Sequence, residues 1–248
     1  MLLAGQAATE AWFGKLEHSR DLVRRAKDAA ELNGAKETAA TYQAAHALRE
    51  VEAGYPKQAR AAAMAADALA SNRDIRSMAA LALARADALK EAETLAAELD
   101  KAYPLDTLVQ RFWLPTIRAA IALQRNDPSH AIESLEQSSA TELGLTTLTE
   151  VSLCPAYVRG EAYLMLHDGA SARKEFQKFI DHRGIVVNFQ WGALARLGIA
   201  RAYAIEAAKD PSARDKARAA YWEFLTLWKD ADPDTPVLKQ AKIEYAKL

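Results

Sequence analysis

The chain has 248 residues, of which 50% are hydrophobic and 26% are charged, and its formal net charge at pH 7 is -1. This balance gives no long-range field that would attract nucleic acid or anionic lipid, and no run approaches the roughly 20 apolar residues of a membrane span. The single cysteine, Cys154, cannot form an intramolecular disulfide, and the segment from Met1 to Ala4 lacks the basic start of a signal peptide. A cytoplasmic location is therefore expected.

The composition also predicts helices rather than sheet. Alanine dominates the apolar residues, while the chain has only 10 glycines and 8 prolines. Alanine, leucine, glutamate, lysine and arginine are strong helix formers, whereas the β-branched residues that favour strands are sparse. We therefore expect an all-α fold.

In chain order, the elements form pairs of helices within a single domain, 1–248. The first unit, 5–33, is shortened: Trp12 leads into a helix over Leu16–Leu32, which ends at Asn33-Gly34 because glycine suits a left-handed cap. After a break around Pro233 and Pro236, a last helix over 236–248 caps the stack. The remaining units are predicted at 36–71, 73–104, 107–141, 153–184 and 190–231.

One alanine recurs near the start of each second helix and marks the register of these units. Its successive positions are 33, 39, 41 and 45 residues apart, by subtraction of the residue numbers. A larger side chain there would force the two helices of a pair apart. We call these five residues the register alanines: Ala59, Ala92, Ala131, Ala172 and Ala217.

A small residue also precedes the register alanines, by twelve positions in the first four units and across an insertion in the last. These residues are Ala47, Ala80, Ala119, Gly160 and Ala200. The first interval is close to the tetratricopeptide period of about 34 residues, and the residue classes agree with that pattern. We therefore predict a tetratricopeptide-like helical-repeat solenoid of five to six antiparallel helix pairs with a C-terminal capping helix. The alternative is a generic bundle with alanine-rich interfaces.

The sequence is also similar to a more particular family. The distinctive segments are 157–164, 175–186, 192–203 and 224–234, with the helix around Lys239–Lys242. They resemble the C-terminal tetratricopeptide region of bacterial, chiefly acidobacterial, serine/threonine protein kinases and related signalling proteins. The resemblance implies a module that recruits or senses partners behind an effector domain. It does not imply kinase activity, because the sequence has no G-x-G-x-x-G loop and no matching catalytic-loop motif.

No other catalytic or metal motif stands out in the sequence. Asp181-His182-Arg183 has the residues of a kinase catalytic loop in the wrong order, and we interpret it as a helix end with Gly184 as the stop. The five histidines form no H-x-x-x-H pair, and one cysteine cannot form C-x-x-C. Basic residues near Arg24 are interleaved with acids, which is typical of a solvated face rather than a nucleic-acid site. We expect no enzyme activity, metal, cofactor or nucleic acid.

Binding is instead expected on the concave side of the stack, which the first helices of the units would line. A partner peptide or domain with apolar anchors fits the residues at those positions better than a carboxylate clamp does. Trp191, Trp222 and Trp228 are interpreted as core or cap residues. The predicted groove residues are Ser77, Leu81, Arg85, Trp113, Thr116, Ala120, Tyr157, Glu161, Met165, Leu197 and Arg201.

The sequence thus predicts a non-catalytic protein-interaction scaffold, as a regulatory module of a bacterial signalling protein. Two alternatives remain open. The groove could hold a small molecule and act as a sensing domain, or the stack could mediate self-association.

Overall fold

The computed structural model describes residues 2–144, 153–208 and 210–248. Within these ranges the chain is all-helical, with a π-helical turn at Val109–Trp113 before α7 and a 3-10 turn at Glu136–Ser138 after α8. The α-helices are α1 (Leu2–Trp12), α2 (Leu16–Leu32), α3 (Lys36–Ala53), α4 (Pro56–Leu69), α5 (Arg73–Arg85), α6 (Leu89–Ala102), α7 (Leu114–Gln124), α8 (Pro128–Leu135), α9 (Cys154–Met165), α10 (Gly169–Asp181), α11 (Arg183–Val186), α12 (Gln190–Glu206), α13 (Ser212–Leu227) and α14 (Pro236–Tyr245).

Consecutive helices pack in pairs joined by short turns: α1 with α2, α3 with α4, α5 with α6, α7 with α8, α9 with α10, and α12 with α13. The helix predicted over Leu16–Leu32 is α2. The helix end predicted at Asp181-His182-Arg183 is confirmed, because α10 ends at Asp181. Gly184 is not its stop, because Gly184 lies inside the short helix α11.

The turn that joins the two helices of a pair has the same geometry in the four pairs from α3–α4 to α9–α10, and Gly14, with a φ of 75°, repeats it between α1 and α2. The residue five positions before the register alanine has a positive φ, between 55° and 96°. The N–H of the next residue then donates a 2.9 Å hydrogen bond to the carbonyl five positions earlier, which is the closure of a Schellman motif. The same backbone geometry recurs although the residue type at the positive-φ position differs from pair to pair. The four positive-φ residues are Gly54, Asp87, Asn126 and His167.

The register alanines are all completely buried, with 0% of their surface exposed. The small residues that precede them, from Ala47 to Ala200, are buried as well. Small side chains at buried positions let two helix backbones approach closely.

The first helices of the pairs pack in succession and close on themselves. Helix α3 contacts α5, α5 contacts α7, α7 contacts α9 and α9 contacts α12, while α12 also contacts both α1 and α3. The indole Nε1 of Trp228 donates to the carbonyl of Trp12 at 2.9 Å, and the N–H of Asp232 donates to the carbonyl of Gly14 at 3.1 Å. The two ends of the chain therefore pack against each other, and the inner faces of these helices become core.

An aromatic cluster fills the part of this core between α9, α10 and α12. The rings of Tyr157 and Trp191 are stacked, with centroids 5.1 Å apart and planes at 9°. Phe176 meets Tyr157 edge-on at 5.5 Å. A Cβ added at Gly160 or Gly198 would lie within 3.0 Å of the Phe176 ring, so both helices need glycine where this ring inserts. Such aromatic pairs contribute about 0.5–1.5 kcal/mol beyond their buried area.

The three tryptophans predicted as core or cap residues do not behave alike. Trp191 and Trp228 are buried, as predicted. Trp222 is 60% exposed on α13, so the prediction is wrong for this residue. Trp222 immediately follows Tyr221, which is buried, and adjacent residues of a helix point about 100° apart.

Candidate functional site

The structure places most of the predicted groove residues inside the protein. Met165 is exposed at the end of α9, while Arg85, Glu161 and Arg201 are half-buried. The other residues are buried because the closed circuit of first helices turns the inner face into core. Their role in partner binding stays a prediction. The buried members are Ser77, Leu81, Trp113, Thr116, Ala120, Tyr157 and Leu197.

Three charged residues from three different helices meet at the centre of the circuit. The guanidinium of Arg85, on α5, binds Glu52 of α3 and Glu161 of α9. Its Nη2 donates to Glu52 Oε2 at 2.8 Å and to Glu161 Oε1 at 3.0 Å, its Nη1 donates to Glu161 Oε2 at 2.6 Å, and its Nε donates to Glu52 Oε1. The cation thus holds a bidentate contact with a carboxylate on either side, the geometry for which a guanidinium is best suited. We call these three residues the central ion cluster.

The surroundings of the central ion cluster are apolar and aromatic. The Arg85 guanidinium lies 5.5 Å from the ring centroid of Tyr157 and 6.0 Å from that of Trp191. The side chain of Glu52 is 2% exposed and that of Arg85 12%, whereas Glu161 is 30% exposed. Only Glu161 therefore keeps substantial contact with solvent.

Burial and charge act in opposite directions on these groups. Burial opposes the charge of Arg85, but the carboxylates of Glu161 and Glu52 outweigh it and hold the pKa of Arg85 well above its ordinary value. Burial raises the pKa of Glu52, against the lowering effect of Arg85. Burial, and then the charge of Glu52, raise the pKa values of Cys154 and Tyr157. The thiol and the phenol therefore keep their protons at neutral pH, which opposes nucleophilic or acid–base chemistry there.

A second ion pair joins the capping helix to this region. Arg201 on α12 donates to Glu244 on α14 through Nε at 2.9 Å and Nη2 at 3.1 Å. The hydroxyl of Tyr221 donates to the same carboxylate at 3.0 Å. Arg201 was predicted to face a partner, but here its guanidinium is bound by a residue of the chain itself. The arginines of this region are therefore bound by carboxylates of the chain itself.

Sequence reasoning selected Arg85, Tyr157 and Glu161 but missed two residues that join them, Glu52 and Trp191. Glu52 lies near the C-terminal end of α3, two residues after Glu50, and belongs to no catalytic or binding motif. Its alignment with Arg85 depends on how α3 packs on α5. A usable signal was the spacing: Glu52 and Arg85 are 33 residues apart, the same interval as Ala59 and Ala92.

The outward side of the pairs carries open grooves between successive second helices. The groove between α4 and α6, floored by α5, measures 520 Å³, and the groove between α6 and α8, floored by α7, measures 410 Å³. A third groove of 390 Å³ lies between α10 and α13 over α12. Each combines apolar side chains with charged ones, so these grooves are accessible concave surfaces of the repeated pairs.

In the described ranges no helix combines the length and the hydropathy that a bilayer crossing needs. Nor do three or more His, Cys, Asp or Glu side chains of those ranges gather into a set that could hold a metal ion. The fold and these surfaces define an all-helical protein of side-by-side helix pairs with a repeated turn. Compared with protein-family models, curated proteins and solved structures, the chain matches none of them.

Proposed function

We propose that the chain is a non-catalytic scaffold that binds a protein or peptide partner, as a tetratricopeptide-like regulatory module of a bacterial signalling protein. The observation that carries this proposal is the row of open grooves on the outward side, with volumes of 390–520 Å³. Repeated pairs of helices that present such rigid, regularly spaced surfaces are suited to extended partners.

The chemistry of the central ion cluster supports the same proposal. Its two carboxylates are each bound by Arg85, and the neighbouring thiol and phenol are buried and protonated. A catalytic centre needs groups that reach a substrate with a pKa near the working pH. The cluster is better suited to holding α3, α5 and α9 in a fixed arrangement, which keeps the outward grooves in shape.

Under this proposal the inner face offers a partner less contact surface than an open concave groove would. A partner that approaches it meets the rim, at the half-buried Glu161 and the exposed Met165, because most of the residues beneath are core. The outward grooves are therefore the main binding surface that we propose.

Affinity purification tests the proposal. The folded chain is immobilised beside a helical protein of equal net charge, and proteins retained from a bacterial lysate are quantified by mass spectrometry. We expect at least one protein to be retained selectively and then to bind the purified chain in calorimetry. No selective partner, together with thermal stabilisation by a metabolite, would instead support the small-molecule sensor. A mass that grows with concentration in light scattering would support self-association.

A further inference from the structure

The groove between α10 and α13 differs in charge from its counterpart between α4 and α6, although both are built from equivalent positions. Arg76 lies four residues before Ala80, and Arg196 lies four residues before Ala200. Both arginines rise from the groove floor. The two grooves can therefore be compared position by position.

In the groove between α4 and α6, the floor arginine is neutralised. Arg76 binds Asp67 on one wall and Glu98 on the other, each at 3.0 Å. Glu91, on the second wall, binds Arg60. The floor arginine of this groove is thus paired on both sides, and among the described residues Lys90 is the cation that lines the groove without an ion pair.

In the groove between α10 and α13, the same positions carry different residues. Ile180 is equivalent to Asp67, because each lies eight residues after the register alanine of its own helix. Lys216 is equivalent to Glu91, because each lies one residue before a register alanine. Arg183 adds a further cation to the wall. Only the acid that corresponds to Glu98, which is Glu223, is retained. Between the two grooves, the lining acids fall from three to one and the lining lysines and arginines rise from two to three.

The cations of this groove also lack the ion pairs seen elsewhere. Within the part of the chain that the structure describes, no carboxylate lies within 4.0 Å of Arg183, Arg196 or Lys216 in an ion pair. Arg196 donates to the carbonyl of Gly192 at 2.7 Å and lies 5.6 Å from the ring centroid of Trp12. Burial, and then the nearby charge of Arg183, lower the pKa of Arg196. A half-buried cation beside a like charge is stabilised by an incoming anion.

The floor of the groove indicates what kind of anion fits. Ile199, Tyr203 and Ala220 lie beneath and beside the cations and form an apolar surface. A bare phosphate would leave this surface exposed to water, whereas a peptide can place an apolar side chain on it and a carboxylate on the cations. The space is open to solvent and lies between two helices, which allows an extended chain to enter.

We infer that the groove between α10 and α13 binds an acidic peptide segment, in which a carboxylate is held by Arg196, Arg183 and Lys216 and a neighbouring apolar side chain packs on Ile199. This inference rests on the proposed scaffold function and specifies the chemistry of the partner. The other two outward grooves have their arginines paired with acids of the chain and are lined by more carboxylates than lysines and arginines, so they do not select an acidic ligand.

Fluorescence anisotropy with the full chain tests the inference. The probe is a fluorescein-labelled peptide of alternating glutamate and leucine, with a lysine–leucine peptide and inorganic phosphate as comparison ligands. We expect the acidic peptide to bind and the basic one not to bind. Arg196→Gln should weaken binding by roughly 10- to 100-fold, as expected for loss of a charge-assisted contact. Added salt should weaken it further.

Matched variants separate this groove from its counterpart. Arg76→Gln removes the equivalent arginine and should leave peptide affinity unchanged. Ile180→Asp restores the acid that the counterpart groove has and should abolish binding while circular dichroism shows a folded chain. Equal effects of Arg196→Gln and Arg76→Gln would overturn the inference, as would equal competition by phosphate. If the peptide fails to bind while a partner retained in affinity purification binds normally, the inference is wrong and the scaffold function stands.

Discussion

Replacing Arg85 with leucine tests whether the central ion cluster holds the inner helices together. The substitution keeps an apolar stem but removes the cation between Glu52 and Glu161. Glu52 is then left as a carboxylate with a side chain only 2% exposed and no guanidinium beside it. Removing one partner of a buried ion pair typically costs about 3–5 kcal/mol of the free energy of unfolding. For a chain of this length the loss corresponds to a fall in Tm of roughly 6–20 °C.

The assay is urea unfolding at neutral pH, followed by tryptophan fluorescence and far-ultraviolet circular dichroism. Arg24→Leu is the matched control, because Arg24 pairs with Asp21 and Asp28 on the surface, where its side chain is 64% exposed. We expect that control to lose less than about 1 kcal/mol. Equal losses for the two variants would refute the view that the central ion cluster is a buried structural element.

The pH dependence of the Arg85→Leu variant provides a second test. Burial already raises the pKa of Glu52, and loss of Arg85 removes the charge that opposes the rise. The folded variant therefore binds a proton more readily than the unfolded chain, so its stability increases as the pH falls. The deficit relative to wild type should shrink between pH 7 and pH 5. Adding Glu52→Gln should recover part of the lost stability, since no buried charge is then left unpaired.

Three further predictions concern stability and reactivity. Gly160→Ala should lower the free energy of unfolding by about 1–3 kcal/mol, because the added Cβ clashes with the Phe176 ring. Gly5→Ala has nothing within 4 Å of an added Cβ and should raise the free energy of unfolding by about 0.5–1 kcal/mol. Urea unfolding measures both. Cys154, fully buried and with a raised pKa, should react with a thiol reagent only when the chain unfolds, measured by labelling with and without urea. Burial lowers the pKa of His46 to about 4, so wild type should lose roughly 3 kcal/mol more than His46→Gln as the pH falls from 6.5 to 4.

Each of these predictions has an outcome that would contradict it. A Gly160→Ala variant as stable as Gly5→Ala would mean that the Phe176 ring does not need the space. Labelling of Cys154 in the native state at a rate near that of a free thiol would show that α9 is open to solvent. Parallel pH profiles for wild type and His46→Gln would show that His46 is protonated in the folded state as readily as in the unfolded one.

The sequence by itself determined the local features of the fold. The pairs of helices, the turns between them and the buried register alanines all follow from periodicity and from small residues at fixed spacing. These are short-range properties, because a helix and its cap depend on residues within a few positions of each other. The end of α10 at Asp181 was predicted, but Gly184 is not its stop, because the chain resumes a short helix there.

Only the tertiary structure decided which surfaces are open. The sequence placed Leu81 and Trp113 on a concave groove, yet both lie buried in the main hydrophobic core. Residues 33 and 76 positions away from Arg85 form its two ion pairs, and no local pattern indicates such partners. Likewise, the charge of the groove between α10 and α13 becomes visible only when three helices place their side chains together. Long-range contacts depend on packing angles that accumulate over several pairs, and a sequence period does not specify them.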